Sequence, residues 1–259
     1  MPDLTKWAGY LLDAEARREA VAPITDAEPG LDAEGGYSVQ ALLIESKLRA
    51  GERVIGAKLG LTSKAKQTAM SVDQPVYGVL TSGMALDFDQ PLVCSEFIHP
   101  RVEPEIVFIL GESLAGPGVT GHDVLDATRW LCCGLEVIDS RYADFRFTHA
   151  DVVADNTSAA RFALGPERRR PEEIRDLSLI GCNLQVGPAV VATAAGAAIL
   201  GHPAGAVAML ANWVGSRGGS LEPGAVILSG GLTNAVPIRP GLSVSATFAH
   251  FGTVTLRGA

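Results

Sequence analysis

The sequence predicts an α+β protein in which a small helical N-terminal part precedes a larger body of strands. Apolar residues recur at helical spacing before residue 51, and short β-like runs predominate after it. These runs neither alternate regularly with helices nor repeat at a fixed period, which argues against a doubly wound parallel sheet. We therefore predict a helical region over residues 1–50 and a β-rich body over residues 51–259. The two parts are expected to pack closely, because no Ser- or Gly-rich linker joins them.

The predicted helices follow from apolar spacing and from residues that begin or end helices. Residues 3–21 are predicted as an amphipathic helix and residues 37–50 as a second one, with a loop rich in Pro, Gly and Asp over residues 23–36. Within the body, residues 121–132 and 203–217 are predicted as helices. The last begins with a proline, which is favoured in the first turn of a helix.

The strands of the body are predicted from short runs of aliphatic and β-branched residues, which fit a pleated and partly buried surface. These runs are residues 53–61, 91–98, 102–110, 134–140, 182–187, 189–196, 225–230 and 243–256.

Composition and charge exclude several classes of protein. The chain of 259 residues is 47% hydrophobic and 19% charged, which is ordinary for a globular protein. A net charge of -8 and a pI near 5.1 argue against nucleic-acid binding, because phosphate backbones are met by dense Lys and Arg surfaces. The one basic cluster, residues 168–170, is diluted by neighbouring glutamates and is predicted as a solvated loop. No run approaches the ~20 apolar residues of a membrane span, so we expect no membrane partner.

The N-terminus and the cysteines predict a cytoplasmic protein. The first 20 residues contain acidic residues, show the apolar spacing of a helix, and lack the basic segment, apolar run and cleavage site of a secretory signal. None of the four cysteines forms a CxxC pair or has a histidine at metal-ligand spacing, which argues against zinc and iron–sulfur sites. The adjacent Cys132 and Cys133 lie in an apolar run and are predicted to be buried thiols in a reducing compartment.

Three glutamates stand where apolar residues are expected. In the predicted strand 102–110, alternation places Glu103 and Glu105 on one face, among apolar neighbours. Glu136 lies in the apolar run 134–140, which shows no polar alternation. Carboxylates in such surroundings are costly unless a cation or protons compensate for them. Oxygen-only ligands suit hard cations, so the pattern indicates a site for Mg²⁺ or Mn²⁺ with positions left for water and substrate.

A simpler interpretation of the two strand glutamates is a solvated edge strand, which the spacing alone favours. Pro104 between them permits it, since proline cannot donate to a β-ladder and is tolerated at sheet edges.

A glycine run at residues 116–121 matches the dinucleotide-binding pattern G-x-G-x-x-G. The predicted strand ends too early, at Leu110, and Pro117 removes a backbone N–H from the turn. That strand also carries two glutamates where a buried parallel strand is apolar. We therefore reject an oxidoreductase.

Five motifs occur in a fixed order along the chain. They are GAKLGLTSKAK at 56–66, QPVYG at 74–78, HPRVEPEI at 99–106, LEVIDSRYADFRF at 135–147 and VVADNTSAARF at 152–162. GHP at 201–203 and LSGGLTNAV at 228–236 continue the series. With these motifs the sequence resembles the hydratase/decarboxylase branch of the fumarylacetoacetate hydrolase superfamily, from about residue 30 to the end. The resemblance implies a mixed β-sandwich or roll of that type and an enzyme acting on 2-oxo acids from the meta-cleavage of aromatic compounds.

The resemblance also implies roles for individual residues. The family's metal ligands match Glu103, Glu105 and Glu136, and its catalytic lysine matches Lys58. The residues that match substrate-binding positions or are proposed to bind substrate are Leu59, Tyr77, Arg141 and Ser158.

Without the resemblance, several of these residues have ordinary structural interpretations. Lys58 alone would be read as a strand lysine whose ammonium reaches solvent, and Arg141 as an ion-pair partner of Asp139 or Asp144. Other candidates for a cation at the substrate's remote carboxylate are Arg146 and Lys64. Tyr142 is a further candidate pocket residue, while His202 is expected in a turn.

One position separates the two activities of the branch. The hydratases that this sequence resembles carry an acid directly after the proline of QPVYG, where this chain has Val76. Without that acid the natural group for activating water is missing, which hydration needs and decarboxylation does not. The resemblance therefore implies decarboxylation of 2-oxohex-3-enedioate to 2-hydroxypenta-2,4-dienoate.

Three alternatives remain open. They are a 2-hydroxypenta-2,4-dienoate hydratase, an acylpyruvate-type hydrolase and a protein whose metal is structural. The histidines of the quoted motifs, His99 and His202, are not interpreted as the base that the hydrolase needs. The expected ligand is a small 2-oxo dicarboxylic acid. The resemblance further implies a homo-oligomer that can associate with a partner hydratase.

Overall fold

The N-terminal part of the computed structural model is helical. The structure describes residues 3–69, 72, 74–87 and 90–259. Asp3 and Asp32 cap the first and third helices by accepting hydrogen bonds from the backbone N–H groups of Lys6 and Gly35. The helices are α1 (Leu4–Arg17), α2 (Ile24–Ala27), α3 (Ala33–Arg49), α4 (Lys64–Ala69), α5 (Gly121–Ala127), α6 (His149–Ala154) and α7 (Pro203–Ser216).

Twelve strands follow among the described residues, and they form two sheets. The strands are β1 (Val54–Gly60), β2 (Val76–Thr81), β3 (Ala85–Leu86), β4 (Arg101–Leu110), β5 (Thr128–Ile138), β6 (Ala159–Leu164), β7 (Gly181–Val186), β8 (Ala189–Ala195), β9 (Val226–Leu228), β10 (Val236–Pro237), β11 (Ser243–Phe248) and β12 (Gly252–Arg257).

The larger sheet is mixed. Its strand order is β2-β1-β9-β4-β5-β6-β3, and β10 pairs with β4 outside this path. The β1–β9 and β3–β6 pairs are parallel, and the other pairs are antiparallel. The smaller sheet is wholly antiparallel, in the order β12-β11-β7-β8. This mixed arrangement with helices confirms the predicted α+β class.

The two sheets pack on each other through β5, β11 and β12. Their shared core contains Leu131, Cys133 and Leu135 of β5 together with Val244 and Val254 of the smaller sheet. Cys132, Cys133 and Cys182 are free and buried, and Cys94 is free and half-buried.

The N-terminal helices share a second core with α6. Trp7, Leu11 and Leu43 pack there with Tyr142 and Ala150, so the helices lie against the strand-rich body. The boundary at residue 50 stays a prediction, while close packing across it is a feature of the structure.

The helices also protect the free edge of β2, which in the described part of the sheet pairs only with β1. The amide of Asn156 donates to the carbonyl of Val79 and accepts from its N–H. The amide of Gln40 donates to the carbonyl of Tyr77, and the N–H of Tyr77 donates to the hydroxyl of Tyr37. Side chains thus satisfy edge groups that would otherwise invite another strand.

Several predicted elements differ from the structure. The single run predicted over 243–256 forms two antiparallel strands, β11 and β12. The loop predicted over 23–36 contains α2 and the first turn of α3, because Asp32 caps that helix despite the two glycines behind it. The helix predicted over 121–132 ends at Ala127, and residues 128–138 form β5, paired with β4 and β6. Its short apolar run fits either period, and tertiary pairing decides the outcome. The strand predicted over 91–98 is replaced by a 3₁₀ turn at Cys94–Glu96.

The glycine run at 116–121 lies between β4 and α5. It is followed by an α5 of seven residues, capped by Thr120. Because β4 and β5 on either side are antiparallel, the segment lacks the parallel βαβ geometry of a dinucleotide-binding fold.

α7 is a helix of the protein core. The segment 196–216 that contains it has the length and mean hydropathy of a membrane span. From the sequence we expected no segment of this kind. However, seven residues of α7 are buried, and the helix packs on α5 and β1. Burial of an apolar helix inside a domain accounts for this composition.

Gly56 lies where β1 passes β9 at closest approach. A Cβ added there would overlap the carbonyl oxygen of Val226 and lie 2.8 Å from its carbonyl carbon. We expect Gly56→Ala to lower the free energy of unfolding by about 3 kcal/mol, measured by urea denaturation, because backbone on both sides leaves no side chain to move. Gly9→Ala in α1, where a Cβ meets nothing within 4 Å, is the control and should stabilise by about 0.5–1 kcal/mol. Equal stability of the two variants would contradict this packing.

Candidate active site

Three buried carboxylates meet on one face of the larger sheet. In the antiparallel pair β4–β5, Glu103 lies directly opposite Glu136, and Glu105 lies opposite Gly134. Alternation puts Glu105 on the same face as Glu103. The residues are 7%, 0% and 1% exposed for Glu103, Glu105 and Glu136. Like charges directly opposite each other destabilise a sheet, so this arrangement needs a compensating charge.

The carboxylate oxygens converge. One oxygen from each of the three glutamates lies within 4.8 Å of the other two. Glu105 Oε2 accepts a hydrogen bond of 2.6 Å from the N–H of Gly230. Glu105 Oε1 and Glu136 Oε1 are buried and have no hydrogen-bond partner among the described residues. Acceptor atoms left in this state are available to a ligand that carries positive charge.

Lys58 of β1 extends its side chain into this cluster. Its Nζ lies 2.8 Å from Glu136 Oε2 and donates to the backbone carbonyl of Thr157 at 3.2 Å. Burial alone would lower the pKa of Lys58, but the three carboxylates together raise it above its usual value. In the metal-free fold the carboxylates therefore favour the charged form of this buried side chain.

The ammonium of Lys58 does not offset the burial and mutual repulsion of Glu105 and Glu136. Burial, with repulsion from Glu136 and Glu103, raises the pKa of Glu105 well above its usual range. Burial likewise raises the pKa of Glu136, although Lys58 opposes this effect. A divalent cation would neutralise the excess charge and occupy the two oxygens that lack partners. The oxygen-only ligand set fits Mg²⁺ or Mn²⁺.

The edge-strand interpretation of Glu103 and Glu105 is wrong. β4 lies inside the sheet, with β5 on one side and β9 and β10 on the other. Pro104 falls between the residues of β4 that pair with β9 and β10, and its carbonyl accepts from the N–H of Leu232. Proline has no N–H to donate. It is tolerated at this interior position because neither β9 nor β10 pairs with Pro104 on that side of β4.

Two glycines allow the chain after β9 to approach the carboxylates. Gly230 has a φ of +114°, and a Cβ there would overlap Thr62. A Cβ on Gly231 would overlap the carboxylate of Glu103. Sequence reasoning noted LSGG only as part of the resemblance. The paired glycines were the signal of a close backbone approach.

The segment Asp155–Ser158 covers the Lys58 side of the cluster. Three consecutive residues that are not glycine, Asn156, Thr157 and Ser158, have φ values of +48°, +54° and +58°. Each such residue costs of order 1 kcal/mol or more and persists only where surrounding contacts impose it. Here the contacts are Asn156 on Val79 and Ser158 Oγ, which donates to Asp155 Oδ2 at 3.2 Å.

Arg141 is buried and engaged by the protein. It forms an ion pair with Asp155 through Nε, and its Nη atoms donate to the carbonyls of Asp139, Asp155 and Ala159. These contacts favour the structural interpretation, with Asp155 as the ion-pair partner instead of Asp139 or Asp144. They leave little of the guanidinium for a substrate carboxylate, so we replace its predicted binding role with a role in holding this segment.

Leu59 and Tyr77 lie away from the carboxylates. Lys58 pairs with Gly78 across β1–β2, and Leu59 pairs with Tyr77, so the latter pair faces the opposite side of the sheet. Both side chains belong to the main core. Tyr77 packs on Trp213, with ring centroids 4.9 Å apart, beside a cavity of about 700 Å³ that Tyr37 also lines. The structure does not bring these two side chains to the metal-ligand candidates.

Val76 lies on the Lys58 side of β2. It pairs with Gly60, two residues from the Lys58–Gly78 pair, and so shares their face. A Cβ added at Gly60 would lie 2.9 Å from Val76 Cγ2 and 3.8 Å from Thr157 Cβ. Val76, at the position where the resemblance implies an acid in hydratases, is therefore buried and on the same face of the sheet as the candidate catalytic lysine.

The remaining candidates lie in ordinary structural contacts. Arg146 pairs with Asp26 at the surface, and Lys64 Nζ donates to Gln67 Oε1 at 3.2 Å. Tyr142 is buried among the N-terminal helices. His202 caps α7 by accepting from the N–H of Ala204, as its turn assignment implied. The contacts described for these four residues lie outside the carboxylate cluster.

Comparison with known proteins relates the whole chain to one family. Residues 54–257 match the family described as fumarylacetoacetate (FAA) hydrolase, C-terminal. A 4-oxalocrotonate decarboxylase of Pseudomonas putida is 36% identical over 96% of this chain and 94% of its own length. A 2-hydroxyhexa-2,4-dienoate hydratase of Comamonas testosteroni is 38% identical over 94% and 93%. Identity alone thus does not separate decarboxylase from hydratase.

A solved structure is similar over nearly its full length. The 4-oxalocrotonate decarboxylase from Pseudomonas putida G7, complexed with magnesium and adipate, superposes with a TM-score of 0.96 at 36% identity. The alignment covers 99% of this chain and 97% of that one. The fold is therefore that of an enzyme whose structure contains a divalent metal and a six-carbon dicarboxylate.

Proposed function

Because the chain belongs to the fumarylacetoacetate hydrolase family, we propose that it is a metal-dependent lyase that decarboxylates 2-oxohex-3-enedioate to 2-hydroxypenta-2,4-dienoate. The single observation that carries the choice of reaction is Val76, a buried apolar side chain on the Lys58 face, at the position where the resemblance implies an acid in the hydratases. Mg²⁺ or Mn²⁺ is held by Glu103, Glu105 and Glu136, whose convergent oxygens support this assignment.

The reaction shifts electron pairs along the conjugated carbon chain of the substrate. Breaking the C5–C6 bond releases CO₂ and forms the C4=C5 double bond, while the C3=C4 pair moves to C2=C3 and the C2 oxygen takes the negative charge. A proton on that oxygen completes the dienol. When bound, the divalent cation supplies Lewis-acid stabilisation of the charge that develops on the 2-oxo oxygen.

Lys58 places a positive charge and a proton donor beside the substrate. Its contacts with Glu136 and the carbonyl of Thr157 fix the position of its Nζ. A donor held in this way stabilises developing negative charge without reorganisation during the reaction.

The side chains of the proposed site are shielded from bulk water. Lys58 and the three glutamates are almost wholly buried, and Val76 offers no group to orient a nucleophilic water. These features favour loss of CO₂ over addition of water to the dienol product.

The second candidate is a 2-hydroxypenta-2,4-dienoate hydratase, which the 38% identity to a dienoate hydratase supports. It would use the same metal and lysine but add water to the diene.

The test is turnover of 2-oxohex-3-enedioate with CO₂ and dienol followed together. With 1 mM Mg²⁺ we expect both products in equal amounts, and after removal of metal by a chelator we expect a loss of about three orders of magnitude in rate. Rapid conversion of 2-hydroxypenta-2,4-dienoate to 4-hydroxy-2-oxopentanoate, with no CO₂ from the dicarboxylate, would instead establish the hydratase.

We also propose a cytoplasmic homo-oligomer that can associate with a partner hydratase. Light scattering during size exclusion, with and without the hydratase, measures both states.

A further inference from the structure

We propose that the hydroxyl of Thr157 donates a hydrogen bond to a carboxylate oxygen of the substrate, which makes Thr157 a substrate-binding residue of the site. The inference rests on the proposed function, since it assigns a contact to the same 2-oxo dicarboxylate.

The argument begins with the hydroxyl groups of the Asp155–Ser158 segment. A hydroxyl has one proton to donate. The Ser158 hydroxyl already donates to Asp155 Oδ2 at 3.2 Å, so its proton is used inside the protein. Thr157 Oγ1 is buried and has no hydrogen-bond partner in the part of the chain that the structure describes. A buried hydroxyl without a partner costs about 1–3 kcal/mol, which a ligand oxygen would recover.

The Thr157 side chain lies directly beside Lys58. A Cβ placed on Gly78 would lie 2.5 Å from Thr157 Oγ1 and 3.0 Å from Lys58 Cγ, so both side chains crowd the same glycine. The Thr157 carbonyl also accepts from Lys58 Nζ. The free hydroxyl and the ammonium that contacts Glu136 are therefore held by the same residue.

The backbone of the segment is held in a costly conformation. The left-handed φ values of residues 156–158 are imposed from both ends, because Asn156 is fixed to β2 and the carbonyl of Ser158 accepts from the N–H of Asp139. Such strain in a buried segment next to reacting groups is typical of functional sites, where it orients a group that a relaxed turn would not. The group so oriented is Thr157, whose carbonyl meets Lys58.

The test compares Thr157→Val, which keeps the shape of the side chain and removes the hydroxyl, with Thr157→Ser, which keeps the hydroxyl. We expect Thr157→Val to lower kcat/KM for 2-oxohex-3-enedioate about 10- to 100-fold, the loss of a hydrogen bond to a charged group. Thr157→Ser should retain most of the activity. Calorimetry with adipate in the presence of Mg²⁺ should show a matching loss of affinity in Thr157→Val alone.

Stability distinguishes a binding role from a structural one. Thr157→Val removes a hydroxyl without a partner, so the melting temperature should stay unchanged or rise. The control is Thr128→Val, because the Thr128 hydroxyl is buried outside the site and donates to the carbonyl of Val124 at 2.6 Å. We expect that variant to melt at a lower temperature with an unchanged kcat/KM.

The outcomes separate this inference from the proposed function. If the wild-type protein decarboxylates the substrate and Thr157→Val matches it in kcat/KM and adipate affinity, the role of Thr157 is wrong and the function stands. A wild-type protein that neither turns over the substrate nor binds adipate overturns both.

Discussion

Replacing Glu105 with glutamine is expected to abolish binding of the divalent metal and to lower decarboxylation about 10³-fold. The change removes one of three convergent carboxylates, and the loss of Lewis-acid stabilisation corresponds to several kcal/mol in the transition state. The amide oxygen can still accept from the N–H of Gly230, so the loop after β9 should keep its place. Calorimetry with Mg²⁺ and the rate of dienol formation measure the two effects.

The same variant should be more stable than the wild-type protein when both are free of metal. Burial and repulsion from Glu136 and Glu103 raise the pKa of Glu105, which shows that its charged form is unfavourable in the metal-free fold. A neutral amide removes that repulsion. Thermal denaturation in the presence of a chelator should therefore show a higher melting temperature, whereas denaturation with excess Mg²⁺ should show a lower one.

The control for lost charge is Glu112→Gln, in the exposed segment just after β4. It removes one negative charge outside the site and should change neither metal affinity nor turnover. If Glu105→Gln kept full turnover while losing stability in Mg²⁺, the metal would be structural and the proposed mechanism would be wrong.

The carboxylate cluster could be predicted because it depends on local periodicity. Alternation along one strand places Glu103 and Glu105 together, and an acid inside an apolar run marks Glu136. To place Glu136 opposite Glu103, one must also know how the neighbouring strands β4 and β5 are aligned. The contact of Lys58 with Glu136 could not be predicted physically, because it depends on β9, which comes from far along the chain and separates β1 from β4.

Some candidate side chains lie apart from the carboxylates, because residues that are neighbours in a motif need not face the same side of the sheet. Leu59 and Tyr77 stand next to Lys58 and Gly78 in the sequence, yet strand alternation turns them to the other face. Arg141 lies in a matching motif, but its guanidinium forms an ion pair with Asp155, which is 14 residues further along the chain. A motif shows which residues lie close together along the chain. The direction in which each side chain points depends on how its strand pairs with others.

Thr157 illustrates the opposite case, a residue that the motif comparison passed over. Its neighbour Ser158 matches a known position, and nothing in the letters NTS separates one hydroxyl from the other. The difference lies in the contacts, because Ser158 donates to Asp155 and Thr157 has no such partner among the described residues. The two hydroxyls point to different surroundings because the backbone is left-handed at both residues. Propensity scales do not predict this conformation for Thr or Ser.

Replacing Lys58 with methionine is expected to lower kcat by about 10²- to 10⁴-fold while leaving the affinity for Mg²⁺ equal or higher. The variant keeps an unbranched side chain of similar length and loses the charge and the proton donor. Metal affinity should not fall, because the ammonium that contacts Glu136 Oε2 at 2.8 Å no longer competes with the cation for that oxygen. Stopped-flow measurement of dienol formation and calorimetry with Mg²⁺ separate the two quantities.

The control is Lys47→Met, which removes the mostly buried partner of Glu15, 2.6 Å away between α3 and α1. That variant should lose stability and keep kcat. A fall in kcat in Lys47→Met as well would show that deleting any buried ammonium lowers activity. Lys58→Met and Glu105→Gln both suppress turnover, but only the second should weaken the metal. If Lys58→Met weakened Mg²⁺ binding as strongly as Glu105→Gln does, the lysine would serve to assemble the carboxylates. Its position between Glu136 and the Thr157 carbonyl supports instead a group that acts on the substrate beside an independently formed metal site.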